Sequence, residues 1–256
     1  MTRIWPLATT LAGIVTLAAC GDASPPDAGE SDADSETLVE ALARPDPGSC
    51  PPPQYAYNEE EFGPRTDPLV IAPALSAIAA TDQTNIAVTT LGGGQVCQDA
   101  SWLLNLGDGQ MLQGSRFLAL PWGAFEAFGT FLFDRSGGGQ VVEVGEMPVF
   151  SPSSARVAAL QITQSGFGGL ESLAIWQVER TGLRELFRLP DGHNLAWTFQ
   201  DYDDFRIDRW AGEDCLNIGA VAYKDAEAAG FDWDKAQRTP FHAREADGWK
   251  ISPGGC

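Results

Sequence analysis

The segments FLFDRSGGGQVVEVG (residues 131–145) and AIWQVERTGLRELFR (residues 174–188) decide the fold, because they align with a constant offset of 43 residues. Each has two apolar stretches around a glycine-containing turn, a pattern typical of a β-hairpin. In both cases a further turn and a new apolar strand follow. A period of about 40 to 45 residues with four strands per unit is typical of β-propellers, since one blade cannot bury its own faces. The sequence therefore predicts an all-β, propeller-like domain of short four-stranded units.

The chain after Cys50 continues as short apolar alternations broken by Gly, Pro, Asp and Ser. No segment keeps a helical period for more than about two turns. We therefore expect few short helices, at residues 74–80, 124–128 and 224–229, and an irregular β-sandwich is the alternative architecture. The predicted strands cover residues 85–90, 101–106, 111–120, 129–134, 140–144, 156–162, 172–179, 183–189, 194–199 and 205–210, with a terminal hairpin at 241–251.

The clearest repeat unit opens with Phe-Ser-Pro at residues 150–152, just before an apolar strand, and places Trp176 on a later strand. This resembles the blades of TolB-like and WD40-like β-propellers, whose units open with a Phe-Ser-Pro turn. The sequence departs from that pattern at residues 153–154, where Ser-Ser replaces Asp-Gly, and at Gln177, where the Asp of a Trp-Asp pair would stand. The resemblance covers residues 120–210 and implies a propeller fold.

The first twenty residues, MTRIWPLATTLAGIVTLAAC, have the layout of an export signal. The apolar stretch from Ile4 to Leu17 is shorter than the roughly 20 residues that a membrane-spanning helix needs. The closing Leu-Ala-Ala-Cys resembles the lipobox of bacterial lipoproteins, in which the chain is cut before a cysteine that carries the lipid. The resemblance implies a signal peptide at residues 1–19 and lipid attachment at Cys20, with an ordinary secretory peptide as the alternative.

Residues 20–49 are expected to form the lipidated cysteine and an acidic, disordered linker. The part after Cys20 carries eight acidic side chains, one basic side chain, Arg44, and no aromatic residue. Such a composition cannot bury enough apolar area to offset its conformational entropy. We therefore expect residues 50–256 to form a single β-rich globular domain that stands off the membrane on a solvated leash.

Four cysteines remain beyond Cys20, and an even number in an exported chain favours disulfides. Proximity along the chain favours Cys50 with Cys97 and Cys215 with Cys256, although three connectivities are possible. Two histidines and the lack of a Cys-x-x-Cys pair argue against a zinc site. The sequence therefore predicts structural disulfides, no metal site and no cofactor.

Charge and motifs narrow the chemistry further. A formal net charge of -19 disfavours nucleic acid as a partner, because its phosphates attract cationic proteins. His193 and His242 lie in turn-like sequence outside any recognisable catalytic motif. Asp201, Asp203 and Asp204 could offer oxygens to Ca²⁺, but the twelve-residue calcium loop is missing, so a charged turn is favoured.

These features favour a non-catalytic β domain that binds a protein partner or acts as a scaffold in the bacterial cell envelope. Its lipid would hold it to the inner or outer membrane, with the domain in the periplasm or at the cell surface. The alternative is a periplasmic hydrolase or carbohydrate-acting enzyme with Asp and His residues in a cleft. Core packing is predicted for six tryptophans at or beside strands: Trp102, Trp122, Trp176, Trp197, Trp210 and Trp249.

Overall fold

The computed structural model describes residues 44–54, 68–162, 170, 172–189 and 195–256. All of these residues lie in one compact unit. The predicted signal peptide, the predicted lipid attachment at Cys20, most of the predicted acidic linker and the predicted turn at His193 fall outside the described residues. Within those residues, no helix combines the length and the apolar character needed to cross a membrane.

Four antiparallel sheets follow one another along the chain, and each is built from strands that are consecutive or nearly so. Sheet 1 contains β1 (Ala79–Thr81), β2 (Asn85–Thr89) and β3 (Gln95–Asp99). Sheet 2 contains β4 (Asn105–Leu106), β5 (Gln110–Leu112), β6 (Phe117–Ala124), β7 (Ala127–Asp134) and β8 (Gln140–Glu143). Sheet 3 contains β9 (Val149–Phe150), β10 (Arg156–Leu160), β11 (Leu173–Glu179) and β12 (Gly182–Arg188). Sheet 4 contains β13 (Asp204–Trp210), β14 (Cys215–Val221), β15 (Thr239–Arg244) and β16 (Ile251–Pro253).

Helices are few and short among the described residues. The two α-helices are α1 (Leu195–Thr198) and α2 (Tyr223–Ala228). Single turns of 3₁₀ helix occur at Pro47–Ser49, Pro73–Leu75, Gln113–Ser115 and Glu245–Asp247. The expectation of an all-β domain with few short helices is therefore confirmed.

The sheets stack face to face in chain order, and alternate residues of one strand serve two different interfaces. In β6, Leu118 and Leu120 pack against sheet 1, whereas Phe117 and Ala119 pack against sheet 3. In β10, Val157 and Ala159 face sheet 2, whereas Ala158 and Leu160 face sheet 4. A strand that is buried on both faces must be apolar at every position, which explains the continuous apolar runs. The resulting open stack has four layers, as in propeller blades, whereas a sandwich has two.

The hairpin repeat read from the sequence corresponds to the same element in two sheets. Strands β7 and β8 form the last hairpin of sheet 2, and β11 and β12 form the last hairpin of sheet 3. Phe131 faces sheet 1, and its counterpart 43 residues later, Ala174, faces sheet 2. The offset of 43 residues therefore relates equivalent positions of two successive layers.

Three local predictions are wrong, each because tertiary packing or turn geometry overrides the local pattern. The predicted strand at 194–199 is helix α1, in which the Phe199 N–H donates to the Leu195 carbonyl at 2.8 Å and both side chains join the core of sheets 3 and 4. The predicted helix at 124–128 is the tip of the β6–β7 hairpin, where Ala124 pairs with Ala127. The predicted helix at 74–80 is a 3₁₀ turn followed by β1.

Two predicted strands are shorter or broken, and four strands were missed. Residues 101–106 contribute only β4, and residues 111–120 are split into β5 and β6 by the turn at Gln113–Ser115, whose three residues all have positive φ. The sequence pattern did not indicate β1, β3, β9 or β14. The helix predicted at 224–229 and the terminal hairpin at 241–251 correspond to α2 and to β15 with β16.

Each disulfide lies on the outward face of an end sheet. Cys50 is bonded to Cys97 in β3, and Cys215 in β14 is bonded to Cys256, which is the connectivity that chain proximity favours. Val96, the neighbour of Cys97, faces sheet 2, and Leu216, the neighbour of Cys215, faces sheet 3, so both cysteines point away from the stack. The stack therefore has a covalent clasp at each end.

The folded part of the chain begins before Cys50. Pro45 is buried, and the backbone N–H and carbonyl of Asp46 both bond the side-chain amide of Gln95 in β3, each at 2.9 Å. The last residues of the predicted linker, 44–49, are thus attached to sheet 1.

Candidate functional site

An open cleft lies at the end of sheet 4 where β13 begins and β14 ends. Its walls are residues 200–203, which lead into β13, residues 222–225, which lead from β14 into α2, and Thr239 at the start of β15. Its volume of 710 Å³ is in the range of about 300 to 1,000 Å³ that ligand sites occupy. The two walls are joined by a hydrogen bond from the Asp203 N–H to the Val221 carbonyl at 2.9 Å.

Three carboxylates line this cleft, Asp201, Asp203 and Asp225, together with the ammonium of Lys224. None of the three carboxylates forms an ion pair within the described residues, and the described residues contain no grouping of three or more metal-ligand side chains. The carboxylates are therefore spread around the cleft and do not converge on one point.

Four other carboxylates of sheet 4 and of the segment after α2 behave differently, because each is paired with a cation. Asp204 accepts from Arg206 at 2.8 Å, Asp208 accepts from Arg238 at 2.7 Å, Asp234 is paired with Arg206, and Asp232 is paired with Lys235. These four acids therefore have cationic partners, whereas the three carboxylates that line the cleft have none among the described residues.

An exposed aromatic pair borders the cleft. Tyr223, at the first position of α2, is 56% exposed, and Phe231, just beyond the helix, is 52% exposed. Their rings meet edge to face with centroids 5.6 Å apart. Both are large apolar groups in water, as are Phe125 and Phe128 on the β6–β7 hairpin, whereas the other aromatic side chains that the structure describes are buried or half-buried.

The backbone conformation after α2 keeps the side chain of Phe231 exposed to solvent. Gly230 and Phe231 both have left-handed backbone angles, with φ of 68° and 61°, and the Phe231 N–H donates to the Ala226 carbonyl at 2.7 Å. A left-handed conformation at a bulky residue costs roughly 1 to 2 kcal/mol. Ala226 of α2 and Val221 at the end of β14 are both fully buried in one small core, which fixes α2 against β14.

The end of sheet 4 opposite the cleft is joined to the neighbouring layer. The Phe-Ser-Pro turn that opens sheet 3 is bound by Glu213 of sheet 4: Ser151 Oγ donates to the Glu213 carboxylate at 2.6 Å, and the Ser153 N–H donates to it at 2.8 Å. The Ser151 hydroxyl, as the main cause, holds the pKa of Glu213 below its ordinary value. The turn that carries the propeller resemblance is therefore a junction between layers.

One arginine bridges each pair of successive sheets. Arg135, 3% exposed, donates to the Thr89 and Ser115 carbonyls at 2.7 and 2.8 Å and so joins sheets 1 and 2. Arg116 binds Asp134 in its own sheet with two hydrogen bonds and donates to the Glu179 carbonyl of sheet 3 at 2.5 Å.

Arg156 performs the same role between sheets 3 and 4. It donates to the Glu213 carbonyl at 2.7 Å and to both carboxylate oxygens of Glu245 at 2.9 Å, and its guanidinium lies 5.2 Å from the centre of the Trp249 ring. The sequence reading missed these arginines, although a signal exists. Both RFLAL (residues 116–120) and RVAAL (residues 156–160) have the form Arg-x-x-Ala-Leu.

The two carboxyls whose pKa is raised lie elsewhere. Burial raises the pKa of Glu143, against an opposing effect of Arg188. Burial, together with the negative charge of Asp204, raises the pKa of Glu146. Neither residue lines the cleft.

The structure separates the histidine and the acidic residues that the sequence singled out. His242 lies in β15, with Nδ1 3.1 Å from the Gly254 carbonyl, and it is not among the residues that line the cleft. Asp201 and Asp203 line the cleft, and Asp204 pairs with Arg206 at the start of β13. Four of the six tryptophans assigned to the core are buried, at 2 to 7% exposure: Trp122, Trp176, Trp210 and Trp249.

No protein-family model matches the chain, and no curated protein matches it significantly. The resemblances to lipoproteins and to TolB-like or WD40-like propellers stay predictions from the residues quoted above.

Proposed function

We propose that this chain is a lipid-anchored protein of the bacterial cell envelope whose β domain is a non-catalytic protein-binding or scaffold module. The lipid is carried by Cys20, and the domain lies in the periplasm or at the cell surface. The observation that carries the binding role is the exposed Tyr223–Phe231 pair beside an open cleft. Exposed aromatic groups of this kind are enriched among the residues that contribute most to protein–protein affinity.

Two disulfides support the extracytoplasmic location. Disulfides persist in oxidising compartments and are rare in the cytosol. Here they use Cys50, Cys97, Cys215 and Cys256, which leaves Cys20 as the one cysteine of the chain outside a disulfide. A lipobox cysteine must keep its thiol for acylation, so this division fits the proposal.

The interlocked frame supports a binding role. Tyr223 belongs to α2, whose Ala226 packs on Val221 of β14, and sheet 4 is tied to sheet 3 by Arg156 and Glu213. A rigid element presents side chains in their bound arrangement and lowers the entropic cost of association.

The hydrolase alternative requires a histidine beside carboxylates in a cleft. Among the described residues, His242 lies against the Gly254 carbonyl and the cleft is lined by carboxylates without an imidazole. No observation on the described part of the chain favours this alternative over binding.

The anchoring part is tested by labelling cells with radioactive palmitate and by mass spectrometry of the membrane-extracted protein. We expect label on the wild-type chain, none on Cys20→Ser, and a diacylglyceryl cysteine as the first residue. An unmodified N-terminus further along the chain would contradict the anchor.

The binding part is tested by placing a photoreactive benzophenone side chain at Tyr223 in living cells. We expect a specific protein adduct that depends on Phe231, because Phe231→Ala removes half of the aromatic pair. The same side chain at Leu91, which is 51% exposed on the β2–β3 turn, is the matched control. Equal adducts at both positions, or none at Tyr223, would argue against a binding surface there.

A further inference from the structure

We infer that the Tyr223–Phe231 surface docks an extended, lysine- and arginine-bearing segment of a partner polypeptide. This inference rests on the proposed binding function and names the chemistry of the partner.

The apolar part of the surface is the aromatic pair on α2. Tyr223 lines the cleft, and the Phe231 ring meets the Tyr223 ring edge to face. The two exposed rings therefore form one aromatic surface beside the cleft. Such a face attracts the methylene stems of lysine and arginine and the cations that they carry, since aromatic rings are negative over their faces.

The charge around that face selects a cationic occupant. Asp201 and Asp203 lie on one wall and Asp225 on the other, against a single cation, Lys224. The neighbouring acids Asp204, Asp208, Asp232 and Asp234 are paired with arginine or lysine. A net charge of -19 on the chain adds a long-range field that steers cations toward the surface and repels nucleic acids and anionic bilayers.

The spacing of the carboxylates favours a segment with several cations over a single ion. The three carboxylates stand on two separate walls of a 710 Å³ cleft, and the described residues contain no metal-binding group of three such side chains. An extended peptide places successive side chains on alternate faces, so it can put one cation between the walls and another over the aromatic pair.

The test uses the full chain with its disulfides intact and fluorescent synthetic peptides measured by fluorescence anisotropy. The probes share one Gly-Ser-rich sequence and carry either arginine and lysine, glutamine or glutamate at the same positions. We expect the cationic peptide to bind at least about tenfold more tightly than the neutral peptide. It should be displaced by unlabelled cationic peptide and not by the neutral or acidic peptide, and its affinity should fall as salt is added.

Two sets of substitutions locate the binding. Tyr223→Ala with Phe231→Ala removes the apolar face, and Asp201→Asn with Asp203→Asn and Asp225→Asn removes the charge of the cleft. Each set is expected to lower the affinity for the cationic peptide by about tenfold. The matched control removes the same charge from exposed positions elsewhere, through Asp108→Asn, Asp214→Asn and Asp247→Asn. Circular dichroism shows whether each variant is folded.

The outcomes separate this inference from the proposed function. Equal weakening by the control set, or equal affinity for the neutral peptide, overturns the cationic docking site. If panning of an unbiased peptide library against the full chain enriches sequences without Lys or Arg that need Tyr223 and Phe231, the binding function stands and the inference is wrong. If neither the cationic probe nor any library peptide binds, both are wrong.

Discussion

Gln140 in β8 binds the backbone of Leu183 in β12 through both atoms of its side-chain amide, and the two residues are one repeat of 43 positions apart. The Leu183 N–H donates to Oε1 at 2.7 Å, and Nε2 donates to the Leu183 carbonyl at 3.2 Å. One side chain thereby joins the outermost strands of sheets 2 and 3, because its amide binds a backbone N–H and a backbone carbonyl as a neighbouring strand would. Gly182 leaves the room for this contact, since a Cβ there would lie 2.9 Å from Gln140 Oε1.

Replacing Gln140 should loosen sheet 2 from sheet 3. Gln140→Glu leaves the Leu183 carbonyl without its donor and places a charge beside it, so we expect a loss of about 2 kcal/mol in the free energy of unfolding. Gln110→Glu, at an exposed position of β5, should change it by less than about 0.5 kcal/mol. Urea unfolding of both variants measures the difference, and equal values would contradict a role for the amide.

Arg156 should contribute far more to stability than an exposed arginine. Arg156→Ala removes hydrogen bonds to Glu213 and Glu245 and the contact with Trp249, so we expect a loss of about 2 to 4 kcal/mol. Arg184→Ala breaks an exposed pair with Glu179 and should cost at most about 1 kcal/mol. Thermal unfolding of the two variants side by side would show no difference if the guanidinium of Arg156 were merely a surface charge.

Glu213 should make the stability of the junction depend on pH. Because its pKa is lowered in the fold, its stabilising contribution is present above the ordinary value of 4.5 and is lost as the pH falls through the folded-state pKa. Glu213→Gln should therefore destabilise the domain at neutral pH, and the gap to wild type should close in acid. Unfolding free energies measured from neutral pH to pH 3 test this, and a gap that stays constant would contradict it.

Each disulfide closes a long loop, with sequence separations of 47 and 41 residues. In the chain-entropy model each should contribute about 4 kcal/mol. Cys50→Ser with Cys97→Ser, and Cys215→Ser with Cys256→Ser, should each lower the melting temperature, and the four-residue variant should lower it most. If the variants matched the oxidised wild type, the clasps would not stabilise the stack.

The sequence allowed the β class, the hairpin repeat and the connectivity of the disulfides to be inferred, because these depend on local periodicity and spacing. The strand β14 was missed because both of its faces are covered. Sheet 3 covers one face, and α2 and the side chain of Arg238, which lies over Gly219, cover the other. Alternation disappears when both faces are covered, so a period-2 search fails there.

The sequence also contains a second, shorter repeat. GGGQV occurs at residues 92–96 and again at 137–141, and both glutamines bind the backbone N–H and carbonyl of one residue. However, equivalent residues of the two repeats do not point in the same direction along the stack of sheets. Val88 and Phe133 occupy equivalent places before the two turns and face each other across sheets 1 and 2. No local pattern encodes that reversal, since it depends on how whole sheets meet.

The cleft could be predicted only in part. Asp201 and Asp203 stood out as a dense acidic stretch, but Asp225 and Phe231 belong to another element, and only the fold places them near the same opening. Whether an aspartate is paired also depends on residues far along the chain, as Asp208 and Arg238 show.

The bond between Cys50 and Cys97 determines how a pull on the upstream chain would be borne. Tension entering at Arg44 reaches the Asp46–Gln95 contacts first and then a covalent link to the middle of β3, so it cannot peel sheet 1 open one hydrogen bond at a time. A domain fastened in this way would keep its shape under mechanical load, and reducing agents would make it fragile in single-molecule stretching.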